Sequence, residues 1–279
     1  MNPKAIGRET RDLLENRYEE LDSVPAVIEF LARIERFAAT LALWGSRTNL
    51  TAHPEDPSEV AFHIIDSLAP LTIASHPEGS ILRGCFTSGR RVLDLGSGAG
   101  FPGLVLAAAC EAHFTLVEAR HKRASFLKTA ATEMGLDNVT VLHRPDVTAY
   151  ARQRNAVSLA AKTNVSRETF VHRSDATPSV VGLSPDHIQR PEKTPTDAGL
   201  SPDQSSDVVL GRAFAKPAVF CRSAAKLLRE GGFAMLYAGR GQPLEDAAAG
   251  TGLTVGARIP YEVRRGDHVT PRILVLFQR

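Results

Sequence analysis

Val92-Leu93-Asp94-Leu95-Gly96-Ser97-Gly98-Ala99-Gly100-Phe101-Pro102-Gly103 runs from a short apolar stretch into a cluster of glycines and then into the apolar run Leu104–Cys110. Arg91–Leu95 predicts a strand and the later run a helix, so the glycines fall where one gives way to the other. Glycine there lets the backbone take positive φ and approach a ligand closely. The helix that follows offers free N–H groups at its start. A second predicted strand, His113–Ala119, places Glu118 near its end, 24 residues after Asp94. A carboxylate at that point can accept hydrogen bonds from both hydroxyls of a ribose. The local chemistry therefore points to an adenosine-type cofactor.

On either side, strands alternate with helices, the pattern of βαβ units and a parallel sheet. Lys122–Met134 predicts a helix capped by Gly135, and Val139–His143 a third strand. Asp207–Ala213 predicts a strand, Pro217–Glu230 a helix and Gly232–Ala238 another strand. The closing stretch from Thr254 predicts two strands around Gly266, antiparallel because no helix fits between them. The first 75 residues read as helices. One carries Val27, Phe30, Leu31, Ile34, Phe37, Ala38 and Leu41 at helical spacing, with Ser23 as its N-cap, and a second spans Ser58–Ala74. Between residues 151 and 206 the pattern fails. Ser, Thr and Pro dominate, and Pro178, Pro185, Pro191, Pro195 and Pro202 forbid regular structure. That segment is expected to be a disordered surface insertion, the alternative being an ordered lid. The expected architecture is α/β: a seven-stranded, mostly parallel, doubly wound Rossmann-like sheet. Residues 1–75 form a helical region packed on it, and residues 76–150 with 207–279 form the cofactor-binding domain.

Composition narrows the function. Of 279 residues, 33 are Lys or Arg and 31 Asp or Glu, a net charge of +2, so a bulk polycation is excluded. Three widely spaced cysteines, Cys85, Cys110 and Cys221, fit neither a disulfide framework nor a metal cluster. No apolar run approaches the roughly 20 residues of a membrane helix, and the start lacks the apolar core of a signal peptide. A cytoplasmic monomer is expected, with no metal, no membrane and no DNA partner.

Gly98, Gly100 and Gly103 also spell the dinucleotide fingerprint, which leaves an NAD(P)-dependent oxidoreductase as an alternative. Register argues against it, since Gly96 and Ser97 intervene after the strand and Pro102 removes an N–H that a pyrophosphate would use. The pattern apolar-apolar-Asp-apolar-Gly-x-Gly-x-Gly resembles the first motif of the class I S-adenosylmethionine methyltransferases. That resemblance gives Gly96, Ser97, Gly98 and Gly100 to the cofactor's amino-acid end, Asp94 to loop order or the ammonium, and Glu118 to the ribose.

Further segments narrow the resemblance. Trp44 with Asn49-Leu50-Thr51, then His63-Ile64-Ile65-Asp66-Ser67-Leu68, the glycine loop, Phe114–Leu127 and Gly211-Arg212-Ala213-Phe214-Ala215 follow one another as in the bacterial 16S ribosomal RNA (guanine 527-N7)-methyltransferase family, RsmG or GidB. The similarity covers residues 26–146 and 207–279. It implies that S-adenosylmethionine is the cofactor and that 16S ribosomal RNA, free or in the small ribosomal subunit, is the partner. It places Phe101, Asp146 or Val147, and Arg212 beside the cofactor. Gly211 stands where the family often has Ser, Glu118 where it often has Asp, and Arg240 where it typically has Lys.

Guanine N7 carries an exposed lone pair and needs no deprotonation, so such a reaction asks for positioning rather than a strong base. No acid–base pair stands out. Asn49, His63 and Asp66 are candidates beside the target base; His63 and Asp66, three apart on a predicted helix, equally fit a pair that ties the helix to the sheet. Arg120, Lys122, Arg123, Arg240, Arg264 and Arg265 are candidates for the RNA backbone. An RNA-binding protein with a non-catalytic cofactor site is the remaining alternative.

Overall fold

The protein is described here as a computed structural model covering residues 2–17, 21–45, 47–146, 205–239, 244 and 246–279. Three helices open it: α1 (Pro3–Glu15), α2 (Val27–Gly45) and α3 (Pro57–Ser75). Asn2 caps α1 by accepting from the Lys4 N–H at 3.0 Å, and Asp56 caps α3 by accepting from the Ser58 N–H at 2.9 Å. A proline follows each cap, where its missing N–H costs nothing. The predicted cap Ser23 is not one. Helix α2 starts four residues later at Val27, and the Ser23 hydroxyl lies instead 3.5 Å from that of Thr72 on α3.

The sheet contains β1 (Arg91–Leu95), β2 (His113–Glu118), β3 (Val139–His143), β4 (Ser206–Arg212), β5 (Leu228–Gly239), β6 (Thr254–Arg265) and β7 (His268–Gln278), in the order β3-β2-β1-β4-β5-β7-β6. Strands β1 to β5 pair in parallel, and β7 runs antiparallel to both β5 and β6. The crossovers are α4 (Gly103–Ala109), α5 (His121–Met134) and α6 (Pro217–Leu227). Gly135 ends α5 at φ 68°, the left-handed cap its sequence position suggests. Helix α6 stops at Leu227, earlier than the expected Glu230, because Leu228 already pairs with Ser206 across the sheet. Strand β4 begins one residue before the expected Asp207, and residues 151–204 of the expected insertion lie outside the described residues.

Phe30, Ile34, Phe37 and Leu41 of α2 are buried against α4, α5 and neighbouring helices, and one apolar cluster runs from these helices into the sheet. Each such side chain contributes roughly 1.5–3 kcal/mol. A second cluster, including Leu95, Val117, Val209 and Phe220, fills the face covered by α6. Cys85, Cys110 and Cys221 are free thiols; burial pushes Cys85 and Cys221 up to about 11 and Cys110 to about 12. Among the described residues no helix is long and apolar enough to cross a membrane, and none form a metal-binding group.

Candidate functional site

The carboxyl ends of β1, β2 and β4 converge on the glycine loop. Leu95 of β1 stands level with Val117 of β2 on one side and Gly211 of β4 on the other. The loop turns back at once: the N–H groups of Gly96 and Ser97 donate to the Val117 carbonyl, at 2.8 and 3.2 Å. Gly96 has φ 72°, and a Cβ there would sit 2.6 Å from the Phe214 ring, so both the turn and the close approach require glycine. Glu118 is buried and fastens the loop, its two oxygens accepting from the N–H groups of Gly98 (2.9 Å) and Arg120 (2.8 Å). A carboxylate has about four lone-pair positions, so acceptor capacity remains for hydroxyl donors.

Asp94 is 1% exposed. Its Oδ2 has no hydrogen-bond partner of good geometry, although the Gly103 backbone lies close beside it. Burial is the main cause that pushes its carboxyl up to about 7; the Ser97 hydroxyl and the Gly103 N–H oppose it, Glu118 adds to it and the charge of Arg212 opposes it. Gly103 packs against the same oxygen, which would lie 2.5 Å from a Cβ there. Opposite it, at the end of β4, the Arg212 guanidinium pairs with Asp66 at 2.9 Å, meets His63 Nδ1 at 2.8 Å and lies 5.8 Å from the Phe101 ring centre. Its Nη1 is buried without a partner. Ala213, the next residue, takes φ 52°, a conformation uncommon for a residue with a Cβ. The site thus contains one buried acid oxygen and one buried guanidinium nitrogen, each with an unmade hydrogen bond. Such groups cost free energy until a ligand satisfies them.

Around Arg212, α3 meets the sheet. Arginine has no acceptor, so His63 Nδ1 accepts from it and the proton resides on Nε2, which faces Glu59 at 3.3 Å. Burial first, then the charges of Arg212, Arg272 and Arg265, lower His63 to about 3, so it is neutral at physiological pH. Buried Asp66 also accepts from the Tyr261 hydroxyl at 2.8 Å and lies 3.8 Å from Arg272. Burial, then the charge of Asp66, raises Tyr261. His63 and Asp66 thus tie α3 to the sheet through Arg212 while bordering the site. Glu59, Tyr261 and Arg272 escaped sequence reasoning. They meet His63 and Asp66 through long-range packing, and the only local signal was the i, i+4 spacing of Glu59 and His63.

The other candidates spread out. Phe101 packs edge-on to Phe37 at 5.3 Å and beside His63 at 5.1 Å. Ser97 donates to the Asp94 carbonyl, and Gly100 takes φ 90° within the loop. Asn49 is exposed and its carbonyl accepts from Arg123, which ties that arginine beside the loop. Arg120 and Lys122 are exposed at the start of α5. Arg264 is exposed near the tip of the β6–β7 hairpin, while Arg265 pairs with Glu59 and, at 3.8 Å, Asp56. Asp146 is exposed three residues past β3; Val147 and Arg240 lie outside the described residues. Gly211 has a physical reason: a Cβ would come within 2.4 Å of the buried Phe220 ring, leaving no room for serine.

A seven-stranded sheet in this order, with a reversed β7 and a glycine loop after β1, defines the class I, Rossmann-like methyltransferase fold. Residues 31–162 match the family model for GidB, rRNA small subunit methyltransferase G. The chain is similar to the ribosomal RNA small subunit methyltransferase G of Coxiella burnetii, 39% identical over 38% of this chain and 46% of that one. It is also similar to the protein of that name from Wolinella succinogenes, 40% identical over 42% and 55%. The chain spans about half the length of the curated relatives it matches. Among solved structures, TrmN of Thermus thermophilus is 18% identical with a TM-score of 0.42, covering 79% of this chain and 53% of that one. The family match includes the glycine loop, Glu118, His63 and Asp66 but ends before Arg212, whose place in the site rests on geometry.

Proposed function

We propose that this protein transfers a methyl group from S-adenosylmethionine to N7 of a guanine in 16S ribosomal RNA. The observation that carries the reading is the pair of unsatisfied buried atoms, Asp94 Oδ2 and Arg212 Nη1, at the ends of neighbouring strands beneath the glycine loop. An acid and a guanidinium so placed complement the ammonium and carboxylate of an amino acid, the end that distinguishes this cofactor from a dinucleotide. Gly96, Ser97, Gly98, Gly100 and Phe101 line that end, Glu118 takes the ribose hydroxyls, and Asp146 or Val147, the latter outside the described residues, is the candidate for the adenine.

The cofactor supplies an electrophilic methyl on a sulfonium. The chain's own residues bind, orient and exclude water. His63 is neutral, its Nδ1 is occupied by Arg212 and its Nε2 lies 3.3 Å from Glu59, so it positions Arg212 rather than moving a proton. Guanine N7 needs no base, and holding the reactants at attack distance is worth roughly 7–11 kcal/mol. Asn49, His63 and Asp66 border the place where the base must sit. Exposed Arg120 and Lys122 at the start of α5 and exposed Arg264 on the β6–β7 hairpin are the candidates for the RNA backbone, Arg123 and Arg265 are already held by other residues, and Arg240 lies outside the described residues. In this reading the protein acts as a monomer in the cytoplasm on 16S RNA or the small subunit.

Calorimetry with S-adenosylmethionine against NADH tests the cofactor: binding of the first alone is expected, and binding of NADH alone would favour an oxidoreductase. Labelled cofactor incubated with under-methylated small subunits should leave label on a guanine, located by mass spectrometry. Cofactor binding without label in RNA would refute the transfer.

A further inference from the structure

We propose that Ala213 and Phe214 are positioning residues for the cofactor: a left-handed turn at Ala213 sends Arg212 and Phe214 to opposite faces of the sheet, so that the pocket is held from both. The inference rests on the reading of S-adenosylmethionine at the glycine loop. Along β4 the side chains alternate, as a strand requires. Val208 and Leu210 belong to the apolar cluster on the face that α2 and α3 cover. Val209 belongs to the cluster beneath α6, and a Cβ on Gly211 would meet Phe220 there. Arg212 continues the alternation, reaching Asp66 and His63 of α3 and the Phe101 ring. Strand geometry would return Phe214 to that same face. It packs instead on the cluster beneath α6, and its ring closes on Gly96, where a Cβ would lie 2.6 Å away.

Ala213 is where the alternation breaks. Its φ of 52° is the one positive value at a non-glycine among the described residues. A left-handed residue with a Cβ costs free energy and persists only where its surroundings over-determine it. Ala213 itself is exposed, so the hold comes from its neighbours: Arg212 is anchored by Asp66 and Phe214 by its seat against Gly96. Both anchors serve the pocket. Arg212 keeps its buried, unpartnered Nη1 on one side of it. On the other side the Phe214 ring backs the start of the glycine loop, whose Gly96 N–H donates to the Val117 carbonyl at 2.8 Å. A strand continued past Arg212 would leave Gly96 without that support.

Urea unfolding of the full chain and calorimetry with S-adenosylmethionine test the turn. Ala213→Gly should raise the urea midpoint, since glycine takes this φ without cost. Ala213→Val, although at an exposed position, should weaken the cofactor about tenfold, because a β-branched residue resists a positive φ. Phe214→Ala should weaken it by about as much. A double-mutant cycle reads the contact itself: Gly96→Ala should lose about tenfold more affinity in the native background than beside Phe214→Ala, where its Cβ no longer meets the ring. Should Ala213→Val fold poorly, the cycle decides. An unmoved midpoint for Ala213→Gly, native affinity in Ala213→Val, or additive losses in the cycle would overturn the positioning role and spare the cofactor reading. A native chain that does not bind S-adenosylmethionine would overturn both.

Discussion

Asp94 and Asp207 sit on neighbouring strands at opposite ends of the sheet, and the protein treats them oppositely. Asp207, at the amino end of β4, accepts from Arg229 Nε (2.7 Å), Arg90 Nη1 (3.1 Å) and the Arg91 N–H (2.9 Å). Burial alone would raise its carboxyl, but these donors outweigh it and hold the group below the usual carboxylate range. Asp94, at the carboxyl end of β1, is more deeply buried, has an oxygen without a partner and is pushed up to about 7. The amino end of the sheet spends its acid on stability. The carboxyl end keeps its acid hungry for a cation, as expected where open α/β sheets bind ligands.

Breaking the satisfied end should have the largest effect. Asp207→Ala removes three hydrogen bonds, two of them from guanidinium groups that remain in contact with water, and should cost about 2–3 kcal/mol in denaturant unfolding, with cofactor affinity unchanged. Because its folded pKa is depressed, the stability it contributes is present above its unfolded value near 3.8 and is lost as pH falls through the folded one. Asp94→Asn should move stability the other way. A carboxyl raised from 3.8 to about 7 loses stability as pH climbs through that window, so the variant should be more stable than the native protein at pH 8, by about 2 kcal/mol. Equal unfolding curves at pH 8 would mean that the Ser97 hydroxyl and the Gly103 N–H offset the burial of the Asp94 carboxylate. Arg212→Ala should weaken S-adenosylmethionine about tenfold by calorimetry, and Arg212→Lys should recover only part, lacking the fork. Tyr261→Phe removes one hydrogen bond to Asp66 and should cost about 1 kcal/mol while cofactor affinity barely changes.

The contrast was half legible in the sequence. The Asp94 loop announces itself because strand, glycines and helix are contiguous, and Glu118 follows at the spacing of one βα unit. The antiparallel ending and the Gly135 cap were readable for the same reason, being set by residues close in the chain. Asp207 and its arginines were not, since Arg90 and Arg229 reach it from 117 and 22 residues away. Nor was the cluster around Asp66, which gathers Arg212 and Tyr261 from β4 and β6. Nothing in local spacing encodes such meetings; sheet order and register do. The misplaced cap at Ser23 and the late end assigned to α6 reflect the same limit, as tertiary packing chose among several acceptable local signals.

Calorimetric titration with S-adenosylmethionine between pH 5 and 9, for the native chain and Asp94→Asn, bears most directly on the unsatisfied acid beneath the glycine loop. Native affinity should rise as Asp94 ionises through about pH 7, with proton release, then fall as the ligand's own amino group loses its charge near pH 8. The variant should bind weakly and lack the rise. Native binding that ignores pH across this range, or matches that of the variant, would contradict the assignment of Asp94 to the cofactor's ammonium.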